Sequence, residues 1–139
     1  MITAEESDKI YQANKCTDTG LEVSWTPILN KQHYQRYKLK IPIFTNDGLE
    51  LSLIGNYSNS RRGKNYSFGL FYKGASIRRW DFKPHNYAKP TSHKHRWDGI
   101  NDHESYEVDD ICLTNVNKAF YDFLIECNIK LLGTYCNIM

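Results

Sequence analysis

Between Arg36 and Leu53 the chain alternates apolar and polar positions with a period of two. Tyr37, Leu39, Ile41 and Ile43 are separated by Lys38, Lys40 and Pro42, and Leu49, Leu51 and Leu53 resume the alternation after Asn46-Asp47-Gly48. Alternate side chains on a strand point to opposite faces, so each run predicts a half-buried strand and the polar triplet a hairpin turn. Pro42 has no N–H to give a neighbouring strand, which hints at a sheet edge. YSFGLFYK (66–73) and SIRRWDF (76–82) predict a second strand pair about Gly74-Ala75, and LEVSWT (21–26) and HKHRW (93–97) shorter strands. NYSNSRRGKN (56–65) reads as a polar loop with Arg61, Arg62 and Lys64 at its tip.

The period changes at both ends of the chain. Thr3-Ala4-Glu5-Glu6 has the form of a capping box, in which the Thr3 hydroxyl accepts from the Glu6 amide and the Glu6 carboxylate reaches back, so a helix is expected over about 4–14. From Val116, the residues Ala119, Phe120, Phe123, Leu124 and Cys127 recur at helical spacing, with Thr114 or Asn115 as cap and Asn128 as terminator. The tail IKLLGTYCNIM is expected to pack back as a strand or turn. The pattern predicts an α+β fold: a mostly antiparallel sheet of about five to six strands with an N-terminal and a C-terminal helix, all in one domain spanning 1–139.

Composition adds three points. The 139 residues are 40% apolar and 14% aromatic, enough for a core without staples. No apolar run approaches the roughly 20 residues of a membrane span. The start MITAEESDKI has neither the basic nor the apolar stretch of a signal peptide, so a cytoplasmic protein is expected, in the host cytoplasm if phage-encoded. Cys16, Cys112, Cys127 and Cys136 form no CxxC and are expected to be reduced and mostly buried.

Net charge is only +2, but it is segregated: residues 61–96 carry ten basic groups and one acid, Asp81, and residues 97–139 carry two basic and eight acidic groups. Segregated charge concerns partners rather than fold. The basic stretch suits phosphate or an acidic protein surface, unless strands bring the two segments together and they neutralise each other.

The basic segment also holds three of the five histidines, His85, His93 and His95. On a strand, His93, His95 and Trp97 share one face, Lys94 and Arg96 the other; likewise Ile77, Arg79 and Asp81 oppose Arg78, Trp80 and Phe82. Two imidazoles at i and i+2, a third from the preceding loop and the Asp81 carboxylate form a candidate Zn²⁺ site, with Asp81 either as fourth ligand or holding a ligand histidine in its tautomer. A solvated basic loop is the plainer alternative.

The order LELSLIGN, YSFGLFYKGASIRRWDF, PH, SHKHRWD, YEVDDI, FYDFLIECNI resembles a family of small bacterial and phage proteins with an R-x-D on one strand, a following His, an H-x-H and a helix ending near CNI. Arg79, Asp81, His85, His93 and His95 match that pattern, which is similar to the TumE-type toxins of toxin–antitoxin pairs. Small size, the histidine cluster and composition also resemble zinc-binding anti-CRISPR proteins that inhibit Cas9. Two roles follow. In the first, the protein is a zinc-stapled interaction protein that inhibits a defence nuclease such as Cas9 by protein–protein contact, with Trp80 and Trp97 as candidate anchors. In the second, it is a ribonuclease toxin, with a histidine as general base or acid, Arg79 or Arg78 on the phosphate, and Arg61, Arg62 and Lys64 along the nucleic-acid backbone. Arg61, Arg62, Lys64, Arg78, Arg79, Trp80 and Trp97 are thus the expected partner or nucleic-acid contacts. The sequence favours the first.

Overall fold

In the computed structural model, residues 2–28, 35–60, 63–82, 92–101, 104–107 and 115–138 are described. They form two helices, α1 (Ala4–Gln12) and α2 (Val116–Glu126). The strands are β1 (Lys15–Cys16), β2 (Glu22–Val23), β3 (Thr26–Ile28), β4 (Gln35–Thr45), β5 (Glu50–Ser60), β6 (Gly63–Tyr72), β7 (Ala75–Phe82), β8 (Ser92–Arg96), β9 (Glu104–Glu107), β10 (Ile129–Lys130) and β11 (Thr134–Tyr135). No helix among them is long and apolar enough to cross a membrane.

The α+β class stands, but the sheet is larger than expected and mixed. Nine strands form it, in the order β10-β1-β4-β5-β6-β7-β8-β9 with β3 also on β4, and β2 and β11 make a separate parallel pair. The parallel β1–β10 pairing arises because the tail after α2 returns beside the N-terminal strand, pairing Lys15 with Ile129. The expected polar loop at 56–65 is instead strand up to Ser60 and again from Gly63, with Tyr57 opposite Tyr66. Asn56 and Ser58 face outward on either side of buried Tyr57, so the period-two rule holds with polar residues outward, which composition alone disguises. Pro42 lies where neither β1 nor β3 covers the second side of β4, since these pair with 44–45 and 36–38, so its missing N–H deprives no neighbour.

From β4 to β8 each strand pairs with the next, and the pairing sorts the side chains into two faces. One row of the inner face runs Leu39, Gly55, Phe68, Trp80, Lys94, and the next runs Ile41, Leu53, Leu70, Arg78, Arg96. Both helices pack on this face. Phe120 and Phe123 of α2 meet Phe68 at centroid distances of 6.0 and 5.9 Å, and Trp80 stands edge-on to Phe123 at 5.3 Å. The α2 stripe is the one predicted, Val116, Ala119, Phe120, Phe123 and Leu124, all buried. Asn115 caps it by accepting from the amides of Asn117 and Lys118, and Asn128 ends it in the left-handed region at φ 55°. The Thr3–Glu6 capping box of α1 also forms.

The hairpin between β6 and β7 turns on Lys73 and Gly74, both at positive φ, the geometry of a type I′ turn. Four residues on, the register slips: Phe71 pairs with Ser76, but Leu70 pairs with Arg78. Ile77 is the inserted residue of a β-bulge. It was expected beside Arg79 and Asp81; instead it is fully buried next to Arg78. Its carbonyl accepts from the Trp97 amide at 3.4 Å and from Arg78 Nη1 at 2.8 Å.

Gly55 marks the tightest approach on the inner face. A Cβ there would lie 2.8 Å from the Trp25 ring and 3.2 Å from both Leu39 and Phe68. Gly55→Ala is therefore expected to lower stability by about 1–3 kcal/mol through overpacking; chemical denaturation checks this, and an unchanged midpoint would show that Trp25 moves aside freely.

Lys15 closes α1 from below. Its buried Nζ donates to the carbonyls of Tyr11 at 2.8 Å and Ala13 at 2.6 Å. Burial lowers its pKa from 10.5 to about 8, with Arg78 adding in the same direction and Cys127 opposing. Between these two values the folded protein has released the Lys15 proton while the unfolded chain still holds it, so this group adds stability as pH rises. The unfolding free energy of wild type relative to Lys15→Met is expected to grow from pH 8 to 10.5 in parallel urea titrations; a pH-independent difference would contradict the burial of a charged amine here.

Candidate functional site

The bulge decides which residues of β7 face away from the helices. Beyond it, Arg79 and Asp81 lie on the outer face, Arg79 opposite His95 and Asp81 opposite His93. His95 Nε2 is 3.2 Å from Asp81 Oδ2, and Arg79 Nε is 3.4 Å from the same oxygen. One carboxylate thus joins an imidazole and a guanidinium. The side chains of Asp81 and His95 are only 13% and 14% exposed, whereas Arg79 is 34% exposed. The pair therefore sits in a lower-dielectric setting than water, where its electrostatic interaction is stronger, with the arginine nearer solvent.

The inner-face residues between these positions hold the site from behind. Trp80 Nε1 donates to Glu126 Oε2 at 2.5 Å, and Lys94 Nζ contacts Glu126 Oε1 at 2.5 Å. Lys94 also lies 4.6 Å from the centroid of the Trp80 ring. Glu126 of α2 thereby ties the two strands that carry Asp81 and His95. Next to the bulge, Arg78 Nη2 pairs with Asp8 of α1 at 3.1 Å and its guanidinium stacks on Tyr11 at 3.9 Å.

These positions correct three expected contacts. Arg78, Trp80 and Trp97 were assigned to a partner surface, but all three are buried, at 8%, 3% and 8% exposure. Trp97 follows the end of β8 and turns inward, donating from Nε1 to the Ile2 carbonyl at 2.9 Å. It leaves the expected face of His93 and His95 because strand alternation ends at Arg96. Arg79 and Lys64 do reach the surface, Lys64 at the start of β6. Arg61, Arg62 and His85 lie outside the described residues, and His93 is placed by its backbone register alone.

The expected zinc set is therefore represented by Asp81 and His95, and no group of three metal-ligating side chains occurs among the described residues. The 3.2 Å between His95 Nε2 and Asp81 Oδ2 nearly equals the edge of a tetrahedron with metal bonds of ~2.0–2.1 Å, which is about 3.3 Å. Distance alone thus fits both a shared metal and a hydrogen bond. The Arg79 guanidinium lies 3.4 Å from the same oxygen, and a cation beside a carboxylate oxygen weakens its attraction for a second cation. The arrangement also suits an acid–base pair: with a proton on Nε2 directed at Asp81, Nδ1 is the ring nitrogen that can take another. The role of Glu126 had a sequence signal only in its position on α2, one turn beyond Asp122 and next to the buried Cys127.

No protein-family model, no curated protein and no solved structure matches the chain.

Removing Glu126 takes away the carboxylate that both the Lys94 ammonium and the Trp80 N–H contact. Glu126→Ala is expected to destabilise the fold by about 3 kcal/mol, the low end for a broken buried pair. A Lys94→Met/Glu126→Met double variant is expected to recover part of that loss. Additive single effects in this cycle, measured by denaturation, would show that the pair is not coupled.

Proposed function

We propose that the protein is a ribonuclease that cleaves single-stranded RNA by acid–base catalysis, without a metal in the chemical step. The observation that carries this reading is the His95–Asp81–Arg79 cluster on the outer face, an imidazole oriented by a carboxylate beside a guanidinium. RNA supplies its own nucleophile, so an enzyme needs only to move protons and to stabilise the phosphorane charge. The step balances as follows. His95 takes the 2′-hydroxyl proton, O2′ bonds to phosphorus, the P–O5′ bond breaks, and the leaving O5′ receives a proton from a second acid or from water. The products are a 2′,3′-cyclic phosphate and a 5′-hydroxyl end. Arg79 donates to the non-bridging oxygens, whose negative charge grows in the transition state. Asp81 is a positioning residue that fixes the His95 tautomer and stabilises the imidazolium once it forms. DNA lacks the 2′-hydroxyl, so the same groups give it no internal attack.

The inhibitor role, contact with a nuclease such as Cas9, is the weaker reading because its aromatic anchors Trp80 and Trp97 and its Arg78 lie in the interior. The resemblance to TumE-type toxins through Arg79, Asp81, His85, His93 and His95 agrees with the ribonuclease reading.

The test is incubation of the purified protein with end-labelled single-stranded RNA in the presence of a chelator. Cleavage is expected, with a rate loss of about 10²–10⁴ in His95→Ala and about 10²–10³ in Arg79→Ala. A 2′-deoxy substitution at the cleaved nucleotide is expected to abolish cleavage there. Folded wild-type protein that leaves RNA intact would overturn the reading, as would His95→Ala retaining full rate.

A further inference from the structure

The register that assembles the site continues across the sheet to β4. One outer row runs Lys40, Ile54, Gly69, Arg79, His95, and the adjacent row runs Lys38, Asn56, Ser67, Asp81, His93. Lys38 and Lys40 are exposed, and Arg36, also exposed, lies two residues further along β4 on the same face. Between these cations and Arg79 the side chains are small or uncharged: Asn56, Ser67, Ile54 and Gly69. Strands are spaced ~4.8 Å apart, so β4 and β7 are separated by about 14 Å of low, polar surface. The acids of this outer face on β4 to β7 are Asp81, already engaged by Arg79 and His95, and Glu50, opposite Phe44 at the far end of the hairpin.

A second observation lies inside this strip. A Cβ on Gly69 would be 2.6 Å from the Phe71 ring. The ring therefore lies down over Gly69, in the space that any other residue would fill, within the row that joins Lys40 to Arg79. Phe71 is half-buried, on the outer face opposite Ser52. A half-buried aromatic ring beside a row of cations can stack with a nucleobase, and base–aromatic stacking is tolerant of sequence.

We propose that the outer face of β4 to β7 is the track for single-stranded RNA, with Lys38 and Lys40 on phosphates flanking the scissile one and Phe71 as the stacking platform between them. This assignment rests on the ribonuclease reading for its direction, with the scissile phosphate at Arg79. Its physical basis, charge complementarity and a half-buried aromatic ring on the same face, is separate. A duplex offers its phosphates but not its base faces, so the platform selects a single strand.

Binding of fluorescent single-stranded RNA to the full-length His95→Ala protein, over a range of salt concentrations, tests it. The slope of log K against log salt is expected to shrink by about 1.4 when Lys38→Ala and Lys40→Ala are combined, because each phosphate contact on a single strand contributes ~0.7. Phe71→Leu, which keeps an apolar side chain, is expected to weaken binding about tenfold with the slope unchanged, and Phe71→Trp to restore it. In otherwise wild-type protein, the lysine variants are expected to raise KM more than they lower kcat. RNA bound in this way but never cleaved would leave the track standing and sink the nuclease. Cleavage with unaltered KM and salt slope in the lysine variants would do the reverse. Equally tight binding of duplex DNA, indifferent to Phe71→Leu, would overturn the single-strand assignment.

Discussion

One inserted residue in β7 sets which of its side chains face the helices and which face outward. Without the bulge at Ile77, a register running on from the Lys73-Gly74 turn would pair Leu70 with Ile77 and Phe68 with Arg79. A slip of one residue exchanges the two faces of a strand. Arg79 and Asp81 would then point at the helices, and Trp80 at solvent. The bulge instead pairs Leu70 with Arg78 and Gly69 with Arg79. It is held by bonds to the Ile77 carbonyl from Trp97 and Arg78 and by complete burial of the Ile77 side chain. A slip would expose Ile77 and Trp80 and bury a guanidinium and a carboxylate, so the hydrophobic effect and the cost of charge burial both protect the observed register.

The two faces then differ in how their charges are held. Inward charges are paired and fixed: Arg78 by Asp8 and Tyr11, and Lys94 by Glu126 and Trp80. Each is a sequence neighbour of an outward site residue. Fixing residue 80 from α2 also fixes the backbone that aims Asp81, and fixing residue 94 does the same for His95. The C-terminal tail tightens the same assembly. Tyr135 stacks on Phe120 at 4.4 Å, accepts from Trp25 Nε1 at 2.7 Å and donates to Asn117 at 2.6 Å; burial pushes its hydroxyl up to about 12. Helix, sheet and tail thus hold the small outer cluster in one geometry, as proton transfer at a positioned imidazole requires.

Periodicity made much of this legible. The helical stripe of α2, its Asn115 cap, the Thr3 capping box and the alternation through β4 and β5 are local patterns, and the structure has them. Alternation also separates His93 and His95 from Lys94, and Arg79 from Arg78 and Trp80. What alternation cannot give is which of two faces meets the core. In SIRRWDF both faces carry charge, and the choice depends on a bulge that has no sequence signature of its own and on helices distant in the chain. For that reason Arg78 and Trp80 read as surface contacts and are core. The extent of the sheet was hidden for a related reason. Ser58, Asn59 and Ser60 have the composition of a loop, and only pairing with β6 reveals them as strand.

The central claim is that an outward imidazole–carboxylate–guanidinium cluster, placed by the bulge, moves protons on RNA. The most direct measurement is the chemistry of the cut ends formed in chelator. The account predicts a 2′,3′-cyclic phosphate on one fragment and a 5′-hydroxyl on the other. Ends bearing a 5′-phosphate, formed only when divalent metal is restored, would contradict it and point to a metal-activated water.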